Sequence, residues 1–92
     1  LLSLFGDGPA VSSTKGVTGH TLGAAGAVEL VVTARALERQ VLPPNAGLTT
    51  PCPEAQGLRL VREPTPAALR YALSASFAFG GSSAAVLLEA TP

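Results

Sequence analysis

The chain has 92 residues, 47% of them apolar and only 13% charged, with six basic residues balanced by six acidic ones. Globular domains carry about 25% charged residues, so this composition is too apolar for a disordered chain, and it offers neither a basic footprint for nucleic acid nor an acidic tail. A single cysteine excludes an internally stapled secreted mini-protein.

The length allows at most one small domain. So few charges cannot cover its surface, which implies that much of that surface expects a partner. Together with a start at Leu1-Leu2 and no methionine, this gives the expectation that residues 1–92 are a piece of a longer chain, with no complete independent domain. No basic region followed by an apolar run opens the chain, so no signal peptide is expected. Residues 71–88 are uncharged but interrupted by Ser74, Ser76, Ser82, Ser83 and Gly80-Gly81. A spanning helix needs about 20 predominantly apolar residues. This run and the stretch 20–34, which holds Glu29, both read as protein core, and the expected compartment is the cytoplasm.

In chain order, residues 1–5 read as a helix end, and Gly6-Asp7-Gly8-Pro9 as a stop and turn. Ala10 to Thr14 is a short β-prone run. Thr18 is placed to cap a helix running from about Gly19 or His20 to Arg39, where Arg35 and Arg39 suit the negative helix end. Val41 to Pro44 is extended, because Pro43-Pro44 cannot continue a helix. Residues 45–57 read as loop, Leu58 to Arg62 as a short strand, and Pro64-Thr65-Pro66 as a connector. Arg70 to Phe77 and Ser83 to Glu89 read as two strands around the hairpin signal Gly80-Gly81.

Tyr71, Leu73, Ala75 and Phe77 form one strand face, while the other face holds small residues. Val86, Leu87 and Leu88 are consecutive. Strands apolar on both sides belong to a layered α/β protein, and a chain this short cannot supply both covering layers. Gly19, Gly23 and Gly26 fall at i, i+4 and i+7, one face of a helix. Each interior glycine costs about 0.5–1 kcal/mol relative to alanine, which calls for either tight packing or room for a ligand at the helix start. A phosphate cradle is the weaker alternative. Its spacing, Gly-x3-Gly-x2-Gly, departs from the dinucleotide pattern, and no acidic residue ends a following strand.

His20 is the only histidine. Most isolated histidines are structural, but a helix N-terminus carries about half a positive charge. There it disfavours the imidazolium and leaves a neutral ring able to donate to a substrate carbonyl. Lys15 and Glu29 are the only formal charges between Asp7 and Arg35. In such apolar surroundings charges should be paired, and the economical expectation is that they pair with each other. Such a pair can fix the turn and support His20 at once; the two readings are not exclusive.

The run from Ser13 to Glu29, STKGVTGHTLGAAGAVE, resembles the signature of the elongating β-ketoacyl-acyl-carrier-protein synthases. Residues 76–83, SFAFGGSS, resemble that family's glycine loop, and Pro43-Pro44 and the closing strand pair match in order. The likeness spans nearly the whole chain and corresponds to the C-terminal part of such an enzyme. It implies an α/β fold, the C-terminal segment of a thiolase-like α-β-α-β-α layered architecture, incomplete on its own. It also implies decarboxylative condensation of a malonyl carrier with an acyl group held on a cysteine. Carried over residue by residue, His20 matches the histidine that binds the malonyl thioester carbonyl and stabilises the enolate. Lys15 matches its supporting lysine, and Glu29 that lysine's partner. Phe79 matches the gatekeeper whose backbone N–H helps form the oxyanion hole, and Thr18, Gly80 and Gly81 fall at substrate-binding positions. No cofactor and no metal are implied. The implied partners are acyl carrier protein, both acyl- and malonyl-loaded, a second copy in a homodimer, and the rest of the synthase chain; nucleic acid and membrane are not among them.

The sequence departs from the family pattern in places. The nucleophilic cysteine and the first histidine of the family belong upstream of these residues. Cys52, in the loop Pro51-Cys52-Pro53, has no helix start or nearby histidine to activate it. Ala75 stands where the family usually has Asn, Ala78 where it has Gly, and Ser82-Ser83 where it has Thr-Asn. The competing expectation is a non-catalytic, chain-length-factor-like segment serving as scaffold or dimer partner.

Overall fold

The structure is a computed structural model and describes residues 8–91. These fall into two compact units, residues 8–19 with 42–65, and residues 20–41 with 66–91. The helix end expected at 1–5, and Gly6 and Asp7 of the first turn, lie outside the described residues; Gly8 and Pro9 form a bend.

In the first unit, β1 (Ala10–Val11) pairs in parallel with β3 (Arg59–Leu60), Ala10 opposite Arg59 and Val11 opposite Leu60. The amide of Val61 extends the pairing by donating to Val11 O at 3.1 Å. Val61 is buried, and among the described residues Leu37 of the second unit is its only buried apolar counterpart. A single helical turn, α1 (Lys15–Thr18), follows β1. Between these pieces runs the segment after Pro43, held by Asn45. Strand β2 (Val41–Leu42) precedes that segment, and β4 (Thr65–Pro66) occupies the expected connector.

The second unit is a helix laid on a hairpin. Helix α2 (Ala25–Arg39) is rich in Ala, Leu, Glu and Arg, all good helix formers. Its half-buried positions Ala25, Val28, Val32 and Ala36, with buried Leu37, recur at the 3- and 4-residue spacing of one helical stripe. The helix ends on Gln40, which adopts the left-handed conformation at φ 55° and ψ 48°. Glycine or asparagine is the usual occupant there. Gln40 compensates with its side chain: Nε2 donates to Leu37 O at 2.7 Å and to Leu69 O at 2.9 Å, and Oε1 accepts from Leu69 N at 2.7 Å.

Strands β5 (Tyr71–Phe77) and β6 (Ser83–Glu89) pair antiparallel, from Tyr71 opposite Glu89 to Phe77 opposite Ser83. Side chains alternate between faces. Ala72, Ser74, Ser76 and Leu88 take the face covered by α2, which packs on both strands. Tyr71, Leu73, Phe77 and Leu87 take the other face and stay exposed. One surface pair, Arg70 Nε to Glu89 Oε2 at 3.2 Å, closes the open end of the hairpin, with the Arg70 guanidinium 5.3 Å from the Tyr71 ring centre.

The expected helix start is corrected. The helix begins at Ala25, preceded by a 3-10 turn at Leu22–Ala24, not at Gly19 or His20. Two left-handed residues break the chain before it, Gly19 at φ 72° and Leu22 at φ 53°. Consequently Gly19, Gly23 and Gly26 do not share one helical face. A Cβ added at Gly19 or Gly23 meets nothing within 4 Å, and one at Gly26 lies at an ordinary 3.9 Å from Ser76 Oγ.

Candidate functional site

Lys15 opens α1, whose turn is tied at its base. The carbonyl of Thr14 accepts from Val17 N and Thr18 N, both at 3.0 Å, and Gly19 N donates to Lys15 O at 2.9 Å. Gly19 then swings to positive φ, which ends the turn. Thr18 does not cap α2; its Oγ1 lies 3.2 Å from Thr14 O and 3.1 Å from Gly19 O, within its own turn. Lys15 is half-buried and Thr18 exposed.

The residues ahead of Lys15 are gripped from one side by the segment 43–46. Ser12 Oγ donates to Pro43 O. Ser13 N donates to Asn45 Oδ1 at 2.7 Å. Gly16 lies so close to the Ala46 carbonyl oxygen that no Cβ fits there. Asn45 Nδ2 reaches both Val11 O and Val61 O at 2.9 Å. One side chain thus joins β1, β3 and the lysine turn.

His20, Glu29, Phe79, Gly80 and Gly81 belong to the second unit, Lys15 and Thr18 to the first. His20 is exposed. The amide of Leu22 donates to His20 Nδ1 at 3.1 Å. A ring nitrogen that accepts carries no proton, so the neutral imidazole keeps its one hydrogen on Nε2. Leu22 reaches this position only by adopting a left-handed backbone, a conformation that costs a non-glycine residue about 1–2 kcal/mol.

The loop at residues 78–82 joins β5 to β6 and is closed by Ala78 N donating to Ser82 O at 2.7 Å. Gly80 and Gly81 both lie at positive φ, 78° and 84°. Phe79 stands at the tip, 99% exposed. The proximity of Gly26 to Ser76 sets the start of α2 beside the end of β5 that feeds this loop. Glu29 is half-buried on the face of α2 that also carries Val28 and Val32, and its carbonyl accepts from Thr33 Oγ1 at 2.7 Å.

Cys52 is exposed. It precedes a 3-10 turn at Pro53–Ala55, which corrects the expectation of plain loop. Among the described residues, no three of His, Cys, Asp and Glu gather in a way that holds a metal ion. No described helix is long and apolar enough to cross a membrane.

Sequence reasoning missed Asn45 and Leu22. Asn45 carried a faint signal: a side chain with both donor and acceptor, just after a proline pair. Leu22 carried none, since leucine has no preference for the left-handed region.

Comparison with known proteins follows the same lines. The family model of the β-ketoacyl synthase C-terminal domain matches residues 1–49, more than half of the 92. A 3-oxoacyl-[acyl-carrier-protein] synthase 2 of Mycobacterium tuberculosis is 43% identical over 84 residues, 91% of this chain and 20% of the relative. A 3-oxoacyl-[acyl-carrier-protein] synthase 1 of Escherichia coli K12 is 40% identical over 87 residues, covering 94% of this chain and 21% of the relative. A polyketide beta-ketoacyl synthase 1 of Streptomyces cyaneus is 46% identical over 78 residues, 85% and 18% respectively. The chain thus spans about a fifth of the length of these relatives. By the signature around His20, the glycine loop and these matches, the chain belongs to the β-ketoacyl synthase C-terminal domain family.

Proposed function

We propose that residues 1–92 are the C-terminal segment of a condensing acyltransferase of fatty-acid or polyketide type. In this reading an upstream cysteine takes an acyl group from its carrier protein, and a malonyl-loaded carrier then binds. The bond between the malonyl α-carbon and its carboxylate breaks, carbon dioxide leaves, and the electron pair passes into an enolate. The α-carbon attacks the acyl thioester carbonyl, a carbon–carbon bond forms, and the cysteine sulfur leaves. The product is a β-ketoacyl carrier.

His20 Nε2–H donates to the malonyl thioester oxygen while negative charge builds there, the point at which a fixed donor is worth most. Lys15 and Glu29 are the residues read as its support. Phe79 gates the acyl site and its N–H serves the oxyanion hole. Gly80 and Gly81 give the loop its backbone freedom, and Thr18 takes part in substrate binding. The single observation that carries the reading is the bond from Leu22 N to His20 Nδ1, which fixes the tautomer this role requires.

The thiolase-like layered fold is part of the same proposal. Both outer faces of the second unit are apolar and uncovered among the described residues: Ala27, Val31 and Ala34 on α2, and Tyr71, Leu73, Phe77 and Leu87 on the hairpin. A helix layer on a sheet layer, each with a bare apolar back, favours further layers on both sides. The enzyme is read as a cytoplasmic homodimer that receives its substrates on acyl carrier protein.

The test is to incubate the complete chain with acyl- and malonyl-loaded carrier protein. Release of carbon dioxide with formation of β-ketoacyl carrier is expected. Ala75, Ala78 and Ser83, which depart from the family's glycine loop, favour a second reading, a chain-length-factor-like scaffold or dimer partner without catalysis. Assembly with a partner synthase in the absence of any carbon dioxide release would select it over the first.

A further inference from the structure

The geometry points to Asn45 as a positioning residue for the lysine turn, a role that rests on the reading of Lys15 as support for His20. The segment after the proline pair meets the segment carrying Lys15 in order. Pro43 O takes the Ser12 hydroxyl, Asn45 Oδ1 takes the Ser13 amide at 2.7 Å, and the Ala46 carbonyl lies against Gly16. Lys15 therefore sits on a turn whose residues on both sides are set by the 43–46 backbone and one side chain.

Asn45 suits this task because each end of its amide has separate work. Its Nδ2 holds Val11 O and Val61 O, fixing it to the strand pair β1 and β3. Its own amide donates to Val61 O at 2.8 Å, which holds its backbone as well. Its Oδ1 is then a fixed acceptor from which the Ser13 amide hangs. No hydroxyl or carboxylate reproduces both functions, since two carbonyl oxygens and one N–H must be met by a single planar group. A catalytic support displaced by about 1 Å can lower a rate about 100-fold, so the grip on Ser13 bears on chemistry and not only on folding.

Acyl loading of the upstream cysteine and malonyl decarboxylation are measured separately in the complete synthase, for Asn45→Ala, Asn45→Ser, Asn45→Asp and Lys15→Ala. Asn45→Ala and Asn45→Ser lose the acceptor for Ser13. Their ratio of decarboxylation to loading is expected to fall about 10- to 100-fold. Asn45→Asp keeps an acceptor and loses the donors. It is expected to lose thermal stability yet hold the ratio within about threefold, because the Ser13 contact survives. A merely structural role lowers stability in every variant and leaves the ratio unmoved. An unchanged ratio in whichever of Asn45→Ala and Asn45→Ser folds overturns the proposal, as does an Asp variant whose ratio collapses. If Lys15→Ala itself leaves the ratio unchanged, the reading of Lys15 fails and the positioning role fails with it. A fall for Lys15→Ala without one for Asn45→Ala rejects Asn45 alone.

Discussion

Leu22, held at φ 53°, turns its amide onto Nδ1 of His20 at 3.1 Å. A residue with no preference for that conformation thus occupies one nitrogen of the neighbouring imidazole. Strain of this kind concentrates at working sites.

The first prediction concerns which nitrogen matters. In the complete synthase, His20→Ala should lower malonyl decarboxylation about 100- to 1,000-fold, the usual loss for one oxyanion donor, and spare acyl loading. Glutamine at this position places its amide nitrogen near the site of Nε2, whereas asparagine places it near Nδ1. His20→Gln should therefore retain more decarboxylation than His20→Asn. Carbon dioxide release and mass spectrometry of the acyl-enzyme read the two half-reactions, and an asparagine variant that outperforms glutamine contradicts the assignment.

The glycine loop gives a purely conformational test. A Cβ at Gly80 meets nothing within 4 Å, but φ is 78°. Gly80→Ala should cost about 1–2 kcal/mol through backbone strain alone and slow condensation by stiffening the loop. Denaturant unfolding combined with turnover measures both, and a variant of wild-type stability would show that the loop readily adopts another conformation.

Gly16 and Gly23 form a contrasting pair. Alanine at 16 drives its Cβ into the Ala46 carbonyl oxygen, whereas alanine at 23 meets open space. Gly16→Ala should destabilise by about 1–3 kcal/mol, as overpacking does. Gly23→Ala should be neutral or stabilise by about 0.5 kcal/mol through helix propensity. Equal unfolding midpoints for the two variants would refute the close approach at Gly16.

At the end of α2, Gln40 combines a strained backbone with a side chain bonded to Leu37 and Leu69. Gln40→Ala keeps the strain and loses the bonds, for an expected loss of about 1–3 kcal/mol. Gln40→Gly also loses the bonds but removes the strain. The expected order of stability is wild type, then glycine, then alanine. An alanine variant more stable than the glycine one would remove the left-handed cap from the account.

What could be read beforehand tracks how local the cause is. Strand β6 was expected at Ser83 to Glu89 and is found there, and β5 begins one residue later than expected, at Tyr71. Alternating side chains and a glycine pair fix such a hairpin from within. The C-terminal end of α2 at Arg39 was legible from its charges and the prolines after it. Its start was not, because Gly19, Gly23 and Gly26 imitate a helical period while the backbone between them turns left-handed twice. The residues proposed for the site rest on the family resemblance and not on any local pattern. The hold of Asn45 on Ser13 joins positions 32 apart in sequence, and nothing short-range encodes it.

The uncovered back of the hairpin bears on biosynthesis. Two strands joined by a short loop close quickly, since little chain entropy opposes the contact. While it is uncovered, a newly made β5–β6 ribbon presents Tyr71, Leu73, Phe77 and Leu87 as an adhesive strip, the kind of surface on which identical nascent polypeptides stick together. The same side chains that favour further layers in the proposed fold are therefore those most prone to self-association before any layer covers them.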